Sequence, residues 1–104
     1  TSGEIVSGQM LNNSVVAMAM NSRIIEDLDI QILPNISKEP KEAVAKAFQA
    51  FENKFGQPMA EMDFQKYVGI VLIDGLQGAE ENIMEKTGDL TNVTFIGGSA
   101  GDDL

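Results

Sequence analysis

Three observations predict an α/β fold, a mixed β-sheet with packed helices in the order β-β-α-β-α-β. Val68 to Ile73 is a nearly unbroken aliphatic run closed by Asp74-Gly75 and followed by a helical pattern. That is the mark of a buried strand turning into a helix. Between Pro40 and Phe55, Val44, Phe48, Phe51 and Phe55 recur at intervals of four, three and four residues, the period of an amphipathic helix. Upstream, Leu28, Ile30 and Ile32 alternate with Asp27, Asp29 and Gln31, the period of two of a half-buried strand.

In chain order, Thr1-Ser2-Gly3-Glu4 suits the end of a turn, and Ile5 to Ser7 a short extended segment. Ser14-Val-Val-Ala-Met-Ala-Met20 is apolar on both faces after its first residue and suits an interior strand, with Ala and Met leaving a helix open. The turn signal Asn21-Ser22 separates it from the alternating Leu28–Ile32 segment, so these two strands are expected to pair antiparallel. Pro34-Asn35 ends the second. The helix from about Pro40 to Phe55 has Pro40 in its first turn and Gly56 with Pro58 as a stop. Gln57 to Lys66 is expected to cross the surface, with Met59, Met62 and Phe64 available to pin it as a short helical turn. Then come a strand Tyr67 to Asp74, a helix from about Gly78 to Thr87 stopped by Gly88, and a strand Val93 to Gly97. A right-handed crossover makes the last two strands parallel.

With 104 residues the chain has room for one domain, residues 1–104, and one modest core. It opens on Thr1-Ser2-Gly3 without Met and stops just after a glycine-rich corner, so it reads as a fragment of a larger α/β domain. Seven Lys plus Arg against sixteen Asp plus Glu give a net charge of -9, which repels a phosphate backbone and anionic lipid headgroups. Nucleic acid and membrane surfaces are therefore not expected as partners. No apolar run reaches the about 20 residues of a membrane helix, and no signal-peptide pattern is present, so a cytoplasmic location is expected. The chain has no Cys and no His, which removes disulfides, thiolate nucleophiles, the Ser-His-Asp arrangement and the commonest zinc ligand.

Two stretches carry candidate chemistry. Gly97-Gly98-Ser99-Ala100-Gly101 follows a strand, and its glycines let a ligand or another backbone approach closely. It is neither a P-loop nor a dinucleotide fingerprint, because the spacing of glycines and the Lys are wrong. Asp102-Asp103 beside it, with Arg23 the only Arg, disfavours an anion and suits an ammonium group or a hydroxyl donor. The second stretch is Asp74-Gly75, at the end of the aliphatic strand, where α/β sheets place their ligands. Glu80-Glu81 in the next helical turn are explained by the helix dipole. Thr1-Ser2-Gly3-Glu4 echoes Ser99-Ala100-Gly101-Asp102, which predicts two similar corners at the ends of equivalent strands. A ligand-binding corner from Thr1, Ser2, Gly3, Glu4, Asp74, Gly75, Gly97, Gly98, Ser99, Ala100, Gly101, Asp102 and Asp103 is the expectation, with no catalytic residue, metal or cofactor. A bend at the sheet edge also explains the glycines. A metal-dependent hydrolase using Asp102 or Asp103, or a structural dimerising module, stay open as alternatives.

Phe95-Ile-Gly-Gly-Ser-Ala-Gly-Asp-Asp103, preceded by Ile73-Asp-Gly-Leu-Gln-Gly-Ala-Glu-Glu81 and by Ser2-Gly-Glu-Ile5 ahead of Ser14-Val-Val-Ala-Met18, resembles the FIST N-terminal domain. The resemblance runs along most of the chain and suggests the central part of such a domain. It implies a sensory input domain of prokaryotic signal transduction that is not an enzyme. The implied ligands are small molecules, amino acids among them, and the implied partners are a C-terminal FIST domain and an output module such as a kinase or cyclase. Some members bind haem, but this chain has no histidine to ligate it. A homodimer remains open.

Overall fold

The computed structural model describes residues 4–11 and 15–101. The expected α/β class is found. A short hairpin, β1 (Glu4–Val6) and β2 (Gln9–Leu11), precedes helix α1 (Pro40–Phe55), strand β3 (Val68–Asp74), helix α2 (Glu80–Leu90) and strand β4 (Thr94–Ala100). Strands β3 and β4 pair in parallel, from Val68 opposite Thr94 to Asp74 opposite Ala100.

Helix α1 forms where its apolar spacing places it. Pro40 fits the first turn, and Gly56, in the left-handed conformation at φ 73°, closes the helix by donating its N–H to Glu52 O at 2.8 Å. Ala43, Val44, Ala47 and Phe48 form the buried stripe. Past it the chain makes the short helical turn, Met59–Glu61, that buries Met59 and Met62 and leaves Phe64 exposed. Glu52 holds this turn by accepting from Met59 N at 2.7 Å.

Helix α2 runs past Gly88 to Leu90, two residues beyond the expected stop at Gly88. Leu90 packs against the core and so favours another turn, while Gly88 faces open space. The helix ends at Thr91, which is buried; its Oγ1 donates to Met59 O at 2.7 Å and accepts from Val93 N at 3.1 Å. One hydroxyl thus ties the end of α2 to the turn after α1. Thr91→Val keeps the shape but orphans both backbone groups, so it is expected to lower stability by about 1–3 kcal/mol in urea denaturation, with Thr91→Ser losing less.

The N-terminal strand expectations are corrected. Residues 15–20 and 27–33 form no ladder, and the first two strands are instead Glu4–Val6 and Gln9–Leu11, paired antiparallel across Ser7-Gly8 with Gly8 at φ 76°. The element order is still β-β-α-β-α-β, but antiparallel and parallel pairs form two separate sheets rather than one mixed sheet. A strand needs a partner edge, and Val15 and Met18 lie exposed with none beside them. The turn expected at Asn21-Ser22 does form, with Asn21 O accepting from Ile24 N and Ile25 N.

The core lies on one face of β3 and β4. Val71, Ile73 and Phe95 meet Val44 and Phe48 of α1 and Ile83 of α2. Val68, Ile70, Leu72 and Ile96, on the other face, are exposed. Among the described residues no helix is long and apolar enough to cross a membrane.

Candidate ligand-binding corner

Parallel pairing brings the two candidate stretches together. Ile73 lies opposite Ser99 and Asp74 opposite Ala100, so the aspartate and the glycine-rich segment share the C-terminal end of the sheet. Gly98 to Ala100 continue β4 beyond its expected end at Gly97. The approach is close: a Cβ on Gly75 would stand 2.6 Å from Ala100 O. Only glycine lets the chain turn away from β3 there.

Asp74 is exposed and organised by its own turn. Its Oδ1 accepts from Leu76 N at 3.0 Å and its Oδ2 from Gln77 Nε2 at 3.2 Å, which fixes the short helical turn Gly75–Gln77. Gly78, at φ 64°, then reverses the chain into α2. A carboxylate has about four lone-pair sites, so two remain for a donor from solution.

Sequence reasoning missed one contact. Ser99 Oγ donates to Glu80 Oε1 at 3.1 Å, linking β4 to the first turn of α2. A glutamate just after a strand-ending turn was the available signal, but the dipole already explained it. A carboxylate is too weak a base to activate serine usefully, so the pair orients a polar surface rather than a nucleophile. Asp74, on the exposed face of β3, and the Ser99–Glu80 pair, on the helix face, thus stand at the same end of the sheet but on its two sides. The ion pairs among the described residues, Lys41 with Glu85, Lys46 with Glu42 and Lys54 with Asp27, leave these acids out. No group of three potential metal ligands converges among the described residues.

Of the other expected site residues, Gly98 and Gly101 are exposed beside Ser99, and Glu4 opens β1 in the separate hairpin. Thr1, Ser2, Gly3, Asp102 and Asp103 lie outside the described residues. Among the described residues Asp74, Gly98, Ser99 and Gly101 of this corner are exposed. Cavities of about 240 Å³ and 280 Å³ lie elsewhere, the first between Gln31–Asn35 and the N-terminal half of α1, the second beside Phe48, Glu52, Met59 and Leu90.

The FIST N domain family matches residues 1–104. The chain belongs to that family. FIST N domains are sensory domains of signal transduction and not a known catalytic family. No curated protein and no solved structure matches the chain.

Proposed function

We propose that this FIST N domain is a non-catalytic sensory input domain that binds a small ligand with ammonium or hydroxyl donors, such as an amino acid, at the C-terminal end of β3 and β4. The observation that carries this reading is that parallel pairing brings Asp74 and the glycine-rich end of β4, with its Ser99–Glu80 pair, to one end of the sheet. An ammonium group gains a charge-assisted hydrogen bond from Asp74, whose carboxylate keeps lone pairs free. Gly98 and Gly101, with open space at their Cβ positions, keep the approach open to a ligand, while Gly75 and Gly97, with Ala100, let β3 and β4 close up beneath it. Thr1, Ser2, Gly3, Glu4, Asp102 and Asp103 complete the proposed site.

The domain acts in the cytoplasm of a prokaryotic cell and passes the signal to a C-terminal FIST domain and an output module. Binding works by differential affinity for two arrangements of those partners. Titration calorimetry of the folded chain against a panel of amino acids and amines tests the reading. A binder is expected, and Asp74→Asn should weaken it at least tenfold, about 1.4 kcal/mol, while Lys46→Ala, remote on α1, leaves it unchanged. A folded protein silent across the panel, or an Asp74→Asn variant that binds as well as the parent, sinks it.

A further inference from the structure

Asp27 to Leu33 forms no ladder, yet it is laid out as a strand. Burial alternates along it: Leu28, Ile30 and Ile32 are 58%, 75% and 88% exposed, while Asp29, Gln31 and Leu33 are half-buried between them. Its direction is set. Asp27 Oδ2 stands 3.7 Å from Lys54 Nζ in the last turn of α1, and Ile32 and Asn35 line a cavity with Glu39 and Glu42 in its first turn. The segment therefore runs antiparallel to α1. Strand β3 starts at the same end of α1, where Tyr67 packs edge-on against Phe55 with ring centroids 5.7 Å apart. Segment and strand thus run the same way along the same helix, and among the described residues no ladder joins them.

The handedness of crossovers supplies the position. From β3 the chain passes through α2 to β4, and from Asp27–Leu33 it passes through α1 to β3. Both helices pack on one face of the sheet, since Val44, Phe48 and Ile83 share a core with Ile73 and Phe95. Two right-handed crossovers on the same face step in the same direction across the sheet. The segment's place is then the edge of β3 away from β4. There its outward residues Leu28, Ile30 and Ile32 continue the exposed apolar row of Val68, Ile70 and Leu72.

We infer that Asp27–Leu33 is a strap that docks on the free edge of β3 as a third parallel strand, in the order Asp27–Leu33, β3, β4. Docking satisfies alternate backbone groups of the segment and covers an edge that is otherwise open to other chains. It also carries Leu33 to Asn35 to the end of the sheet that holds Asp74. The inference does not depend on that corner binding a ligand.

The absence of cysteine allows a direct test on the full chain. Neighbouring strands are about 4.8 Å apart and next-nearest ones about 9.6 Å, and a disulfide requires Cα atoms within about 7 Å. Ile30→Cys with Ile70→Cys, or with Leu72→Cys for the adjacent register, should form an intramolecular disulfide under mild oxidation. Ile30→Cys with Ile96→Cys should not. All four positions are exposed, so the fold should tolerate the changes. In the parent, alternate amides of Asp27–Leu33 should exchange with solvent at least about tenfold more slowly than a free chain. A disulfide preferring Ile96→Cys, crosslinks that form only between molecules, or free-chain exchange along the whole segment overturns the inference.

Discussion

Gly97→Ala is expected to unfold most of the chain or to lower its urea midpoint sharply. Gly97 has φ 153°, a conformation that side chains rarely adopt, and a Cβ there would be driven into Val71 O, its neighbour across the ladder. The obstacle is backbone in the only parallel pairing among the described residues, so no rotamer change relieves it. Overpacking and backbone strain together are expected to cost about 3–5 kcal/mol. That is a large share of the about 5–15 kcal/mol a whole domain has. Gly98→Ala is the control: nothing lies within 4 Å of its Cβ position, and stability should change by no more than about 0.5 kcal/mol. If the two variants denature alike, the steric account of Gly97 is wrong. If Gly98→Ala instead weakens ligand binding at unchanged stability, the two adjacent glycines have separate tasks, one in the sheet and one at the corner.

Elements with a local cause were legible in the sequence. Helix α1 declares itself by its apolar spacing, Pro40 and Gly56, and β3 by an aliphatic run too long for a turn and closed by Asp74-Gly75. The end of α2 was not legible, because Gly88 is a stop signal only until Leu90 finds the core and Thr91 finds Met59 O. Gly98 to Ala100 read as a corner or bend beyond a strand ending at Gly97 because glycine is poor strand material, whereas here β4 runs on to Ala100 and glycine is what the neighbouring strand permits. The segments 15–20 and 27–33 have strand-like composition without a ladder. Pairing is a property of the edge offered elsewhere in the chain, which composition does not encode.

The same division runs through the site. The meeting of Asp74 with the glycine-rich segment followed from a right-handed strand-helix-strand unit, a rule of topology that needs no side-chain detail. The Ser99–Glu80 hydrogen bond depends on the register of β4 and the first turn of α2, and pattern alone has no access to either. Asp74, at the expected corner, bends back onto its own turn through Leu76 and Gln77, a local arrangement that the Asp-Gly pair signals only as a turn.

Phe48→Ala should be the most damaging change in the helix layer, lowering stability by about 3–5 kcal/mol in urea or thermal denaturation. Phe48 is 6% exposed and joins helices to sheet, its ring stacked on Phe95 at a centroid distance of 5.6 Å with 21° between the planes, and tilted against Phe51 at 6.2 Å. Beneath Phe95 lies Gly69, where a Cβ would enter that ring, so glycine, Phe95 and Phe48 form one column from β3 through β4 to α1. A column makes a sharper claim than burial alone. Phe48→Ala and Phe95→Ala combined should cost less than the sum of the two, with a coupling of about 0.5–1.5 kcal/mol, whereas Phe48→Ala and Gln77→Ala, an exposed change in the turn after β3, should add within about 0.5 kcal/mol. Strict additivity for the aromatic pair would mean that each ring acts only through its own buried area and that the stack does not bind the helices to the sheet.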